Sequence, residues 1–220
     1  MTIEVEVFPA ASYATAVAER ITSGIPDAGN IIITGGTTAA RVYAALDDPE
    51  SWNLIDVWFS DERCVPPDDD ASNFAMATHS FFGRTRAQMH RMQGELEPDL
   101  GARRYHDEIA PTIAAGPELA MMGMGADCHV GALYPGSPAL QAANYCAAVD
   151  RPDGLKGLTL TPPAMLAAGS VRLIATGESK AEAVRRVVTG DEGPATCPAR
   201  LLASHPDVTL YLDEPAASLL

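Results

Sequence analysis

An α/β fold, with a mainly parallel sheet and helices on both faces, is what this sequence predicts. Three observations predict it. Short apolar runs alternate along the chain with longer stretches of helical spacing. The run Ile31-Ile32-Ile33 is β-branched throughout, as suits a strand buried on both faces of a parallel sheet. Glycine-rich segments then stand where strand gives way to helix, the place where such sheets bind ligands.

The elements follow in order. Ile3 to Phe8 alternates with period two and reads as an opening strand. Ser12 to Ile21 carries Tyr13, Val17 and Ile21 at helical spacing, and Gly24-Ile25-Pro26 ends that helix. The strand at Ile31 to Ile33 stops at Thr34-Gly35-Gly36-Thr37-Thr38, after which a helix is expected from about Ala39 to Leu46. Ile55 to Phe59 and Leu119 to Met124 are further strands. Val171 to Thr176 is another and leads into a helix over Ser179 to Val188, and Val208 to Leu212 closes the series. The Pro- and Asp-rich stretches Cys64 to Ser72 and Pro194 to Ala199 are short enough for surface loops. Residues 1–220 are therefore expected to form one domain, with Asp68, Asp69 and Asp70 in a solvated loop.

Composition narrows the function. With 47% hydrophobic residues in 220, the chain can bury a sizeable core. Its 15 Lys and Arg against 29 Asp and Glu leave a net charge of −14, which repels a polyanion, so nucleic acid is not an expected partner. No apolar run approaches the roughly 18 to 20 residues of a membrane span, and the N-terminus lacks the pattern of a signal peptide. No membrane role is expected, and a cytoplasmic location is. Cys64, Cys128, Cys146 and Cys197 form no CxxC pair and no zinc-type cluster. They are expected as reduced, mostly buried thiols, with no metal site.

Four segments fall where a parallel sheet places its chemistry. Gly35-Gly36-Thr37-Thr38 joins a strand to a helix, and its glycines, helix N-terminus and hydroxyls suit a phosphate. It matches neither the dinucleotide nor the Walker pattern, and a plain turn with a helix cap is the bland alternative. Ser60-Asp61-Glu62-Arg63 follows the Ile55 to Phe59 strand, and Arg63 can clamp an anion or pair internally with Asp61 or Glu62. Gly123-Met124-Gly125-Ala126-Asp127-Cys128-His129 ends a strand with an Asp and a His two residues apart, the makings of a base and its orienting group. Thr176-Gly177-Glu178-Ser179-Lys180 puts a cation in the first turn of a helix, a conflict that a bound anion would remove. Neither a GxSxG elbow nor an HExxH helix is present.

In order and wording these segments resemble the 6-phosphogluconolactonase family, within the glucosamine/galactosamine-6-phosphate isomerase superfamily. The resemblance runs from Gly35-Gly36-Thr37-Thr38 with Tyr43, through Trp58-Phe59-Ser60-Asp61-Glu62-Arg63-Cys64-Val65-Pro66 with Ser72-Asn73, to His90-Arg91-Met92. It continues in Gly123 to His129, Leu133-Tyr134-Pro135-Gly136, Leu158-Thr159-Leu160-Thr161 and Thr176 to Ala183. It implies a Rossmann-like sheet shared with glucosamine-6-phosphate deaminase. It further implies a carboxylic ester hydrolase that opens 6-phospho-D-glucono-1,5-lactone in the oxidative pentose phosphate pathway. His129 would activate water with no covalent intermediate, and Asp127 would orient His129. Gly35, Gly36, Thr37, Thr38, Asp61, Arg63 and Lys180 would bind the substrate and its phosphate. No cofactor is implied, and the expected partner is a small phosphosugar lactone acting on a monomer or small homo-oligomer.

Two alternatives accompany that reading. Deaminases typically continue past the His into Phe-Asn-Glu-Pro, where this chain has Ala132-Leu133-Tyr134-Pro135-Gly136. A sugar-phosphate sensor without turnover is motivated by the departures from the family pattern. Cys128 replaces a usual Gly and is expected to narrow the pocket beside the base, and Ala39 replaces a Pro. Val130-Gly131-Ala132 stands for the commoner Thr-Ala-Ser. Gly157 stands where the family often has an Arg, with Lys156 adjacent. Arg63, Lys156 and Lys180 are the basic candidates for the phosphate.

Overall fold

A computed structural model of the chain describes residues 3–220. Its main sheet has seven strands, all paired in parallel: β1 (Glu4–Phe8), β2 (Gly29–Ile33), β3 (Ile55–Phe59), β5 (Gln88–His90), β6 (Leu119–Gly123), β9 (Ser170–Ala175) and β10 (Val208–Asp213). A smaller antiparallel sheet holds β4 (Asp61–Arg63), β8 (Lys156–Leu160) and β7 (Cys146–Asp150), in that order. The helices are α1 (Tyr13–Gly24), α2 (Thr37–Ala44), α3 (Asn73–Ser80), α4 (Pro98–Ala115), the single turn α5 (Pro162–Met165) and α6 (Ala181–Thr189).

Strand order in the large sheet is β1-β10-β9-β6-β2-β3-β5. From β2 the chain steps outward one way, through α2 to β3. From β6 it steps the other way, to β9 and then through α6 to β10. Right-handed crossovers therefore place α2 and α6 on opposite faces. The order reverses between β2 and β6, and the carboxyl ends of these neighbours open a crevice. The core explains the sequence pattern: Ile31, Ile32, Ile33, Val57, Ala120, Met122, Leu173 and Leu210 are buried between the two helical layers.

Two buried tyrosines finish strand ends that the sheet leaves unpaired. Tyr43 of α2 accepts the Thr34 N–H at 3.1 Å and donates to the Thr34 carbonyl at 2.8 Å. Tyr105 of α4 does the same for Phe59, at 2.7 and 3.1 Å. Each phenol satisfies a donor and an acceptor that burial would otherwise leave at a cost of about 1 to 3 kcal/mol apiece. Among the described residues no helix is long and apolar enough to cross a membrane.

Several elements differ from expectation. The α2 helix starts two residues earlier than expected, at Thr37, because Gly36 turns the chain at φ +95°. A short 3-10 turn over Glu178–Lys180 precedes α6, so Lys180 is the residue before the helix rather than a member of its first turn. After β3 the chain bends at Ser60, and Asp61 to Arg63 form β4, a strand beyond the expected series.

Candidate active site

Four loops meet in the crevice between β2 and β6, those following β2, β3, β6 and β9. The loop after β2 depends on two glycines for different reasons. A Cβ on Gly35 would lie 1.9 Å from Asn73 Oδ1, so only glycine admits that close approach. Gly36 holds the positive φ that aims the first turn of α2 at the crevice. The opening N–H groups of a helix have no partners within it, and they carry the positive end of its dipole. Thr38 Oγ1 lies 2.8 Å from Thr176 Oγ1, which ties this loop to the one after β9.

Beyond β3, Glu62 is buried and does structural work. Its carboxylate accepts the N–H groups of Arg63, Asn73 and Phe74 at 2.8, 2.7 and 2.9 Å, and the Ser72 hydroxyl at 3.0 Å. Burial raises its pKa, and the four donors pull the other way. Asp61 accepts from Ser60 Oγ at 2.8 Å and from Asn73 Nδ2 at 3.1 Å. Arg63 forms an ion pair with neither acid. Its Nη1 donates to the Ala71 carbonyl at 2.5 Å, and its buried Nε has no acceptor among the described residues. A guanidinium without a carboxylate partner is suited to receive an anionic ligand.

After β6 the chain folds into a tight turn, with the Gly125 N–H on the His129 carbonyl at 2.9 Å and the Cys128 N–H on the Gly125 carbonyl at 3.1 Å. That turn brings His129 Nδ1 to 2.6 Å from Asp127 Oδ1. The hydrogen bond from His129 holds the Asp127 carboxyl down at about 2, so the acid is charged at neutral pH. An ionised carboxylate accepts a hydrogen bond from Nδ1–H, which leaves Nε2 as the acceptor nitrogen of the ring. Gly125 makes the pair possible, because a Cβ there would stand 2.1 Å from His129 Nδ1.

The expectation for Cys128 is corrected. Its φ of +70° explains why glycine suits the position, yet the side chain is fully buried and reaches toward the Ala183 carbonyl of α6, 3.8 Å away. It turns from the crevice and does not line it. Burial pushes its thiol up to about 12, so it stays protonated.

After β9, Gly177 donates its N–H to both carboxylate oxygens of buried Asp213, at 2.9 and 3.1 Å. The turn so fixed carries Lys180 into the crevice, where burial lowers its pKa. The result is a cleft of about 250 Å³, small beside the roughly 300 to 1,000 Å³ of drug-sized sites. Gly35, Gly36, Thr37, Thr38, Asp61, Arg63, His129 and Lys180 all line it, while Asp127 stands behind His129. Lys156 does not line it and pairs with Asp150 in solvent. Lining residues outside the expected site include Tyr134, whose ring centre lies 4.7 Å from that of His129, and Arg151. Tyr134 was legible as part of a motif, but nothing near Arg151 in the sequence marked it. Among the described residues no three His, Cys, Asp or Glu side chains group so as to hold a metal ion.

This chemistry comprises a half-exposed His–Asp pair at one side of the cleft, with a helix N-terminus and cations around the rest. It can polarise water and bind a phosphorylated small molecule. The chain is similar to known proteins over nearly its whole length. A 6-phosphogluconolactonase of Synechocystis is 31% identical over 93% of this chain and 90% of its own. A glucosamine-6-phosphate deaminase of Rhodopirellula baltica is 34% identical, covering 99% and 96%. The crystal structure of a 6-phosphogluconolactonase from Thermotoga maritima superposes with a TM-score of 0.83 over 97% of this chain and all of that one. At 24% identity it speaks for the fold. Residues 9–211 match the family described as glucosamine-6-phosphate isomerases/6-phosphogluconolactonase, and the chain belongs to that family.

Proposed function

We propose that this chain hydrolyses 6-phospho-D-glucono-1,5-lactone to 6-phospho-D-gluconate. The observation that carries the reading is the 2.6 Å Asp127–His129 pair set on a cleft with a helix N-terminus, Arg63 and Lys180. His129 Nε2 takes a proton from water as its oxygen bonds to C1. The tetrahedral oxyanion then collapses, the bond from C1 to the ring oxygen breaks, and the imidazolium returns its proton to that oxygen. One water is consumed, and the carboxylic acid product ionises. General-base help of this kind is worth about 10² to 10⁴ in rate.

The phosphate binds at the first turn of α2, with the Thr37 and Thr38 hydroxyls, Lys180 and Arg63. That grip places C1 for attack, a use of binding energy remote from the reacting bond. Within that expected substrate-binding set Asp61 serves the sugar and not the phosphate, since a carboxylate accepts a hydrogen bond from a sugar hydroxyl and repels a phosphate. Lactonase is favoured over deaminase by the segment after His129, which supplies Tyr134 beside the imidazole where deaminases carry an acid.

The test is hydrolysis of freshly generated lactone by wild type and His129→Ala, with spontaneous opening subtracted. Acceleration by the wild type that falls about 10²- to 10⁴-fold in His129→Ala is expected. Acceleration that survives the substitution overturns the assignment of the base. Ammonia release from glucosamine 6-phosphate, without lactone opening, overturns the substrate.

A further inference from the structure

Arg151 lies just past the outer strand of the small sheet, yet its side chain reaches the cleft. The register explains how. Val149 stands opposite Gly157, and Gly157 opposite Arg63. Cross-strand partners share a face, as do residues two apart along a strand, so Arg151 leaves β7 on the face that carries Arg63. Between them Gly157 offers no side chain. A Cβ there would lie 2.9 Å from Arg151 Cδ and 3.3 Å from Cγ, so the arginine stem occupies the space that a larger residue at 157 would fill.

The guanidinium is held from behind and open in front. Arg151 Nη2 donates to Asp153 Oδ2 at 2.7 Å and Nε donates to the same oxygen at 3.1 Å, while Nη1 meets no acceptor among the described residues. The side chain is 9% exposed, with Asp153 as its one ion-pair partner among the described residues. Arg63 lines the same wall, and like charges there repel unless an anion lies between them.

We propose that Arg151, crossing the gap at Gly157, grips the phosphate of the substrate and makes the site select phosphorylated over unphosphorylated lactones. The proposal rests on the lactonase reading for its substrate, and its binding arm stands apart from turnover.

Arg151→Met keeps the apolar stem over Gly157 and removes the guanidinium. Its kcat/KM for 6-phosphogluconolactone is expected to fall about 10- to 100-fold, chiefly through KM, the scale of a lost charge-assisted hydrogen bond. With unphosphorylated glucono-1,5-lactone the same variant should stay within about twofold of wild type. Calorimetric binding of 6-phosphogluconate should weaken by the same 10- to 100-fold or so. That arm decides the matter even if the wild type opens no lactone, which would sink the functional reading alone. In Arg151→Ala/Gly157→Arg, the vacated space lets the new arginine enter, and phosphogluconate binding should recover over Arg151→Ala. Equal losses on both lactones, or unchanged binding of phosphogluconate, overturn the proposal. A folded double variant that binds no better than Arg151→Ala overturns the route across Gly157.

Discussion

His129 can serve as a base because its other ring nitrogen is already committed. Asp127 does that work at 2.6 Å, and Gly125 leaves room for both side chains. Asp127→Asn should therefore lower kcat, by no more than the roughly 10⁴-fold ceiling of general-base help, with KM little changed, since the amide can favour the wrong tautomer. The pH dependence has a definite sign. A carboxyl lowered to about 2 contributes stability in full above the ordinary aspartate value, and that contribution is lost as pH falls toward 2. Asp127 thus does not titrate in the neutral range. An acid limb of kcat/KM lying above about pH 4 belongs to another group, and the Asp127→Asn profile should retain it. A limb that vanishes with the substitution would show that the pair titrates as a unit.

Elements transmit position to these residues, and Glu62 shows how. It joins β4 to the start of α3 by receiving four donors, three of them backbone N–H groups. Glu62→Ala orphans all four and should destabilise the fold by about 3 to 5 kcal/mol, read as a lowered denaturation midpoint. Glu62→Gln, which keeps an acceptor, should lose less. The legibility of elements follows similar physics. Strands β2, β3, β6, β9 and β10 are buried by both helical layers, so each is an apolar run in the sequence. The small sheet is not: β7 reads Cys-Ala-Ala-Val-Asp, and β8 opens on Lys156-Gly157. Helix α4 was hidden by Pro111 and Gly101, yet Gly101 is where it meets β8, since a Cβ there would touch Leu158 Cδ1 at 3.1 Å. In the site, Asp127 and His129 are two residues apart and so visible together. Arg151 is not, because its place depends on a missing side chain one strand away.

Across the whole molecule the fold and the charge act at different ranges. The reversal of strand order between β2 and β6 gathers loops from four strands into one crevice, so segments as far apart in sequence as Gly35 to Thr38 and Lys180 share a cleft. The net charge of −14 surrounds that cleft with a field that opposes a phosphorylated substrate. Inside it Arg63, Arg151 and Lys180 face Asp61, with Asp127 and Asp153 just behind, so the attraction is local and nearly balanced. Ions at physiological strength screen charges beyond about 8 Å, which weakens the long-range repulsion more than contacts in the half-buried cleft. Raising salt from about 20 to 200 mM should therefore leave kcat/KM for 6-phosphogluconolactone level or modestly higher. Stopped-flow measurement against uncharged glucono-1,5-lactone as reference isolates the effect. A steep fall with salt would mean that the cations draw the substrate in from a distance, and that the cleft's own field dominates that of the molecule.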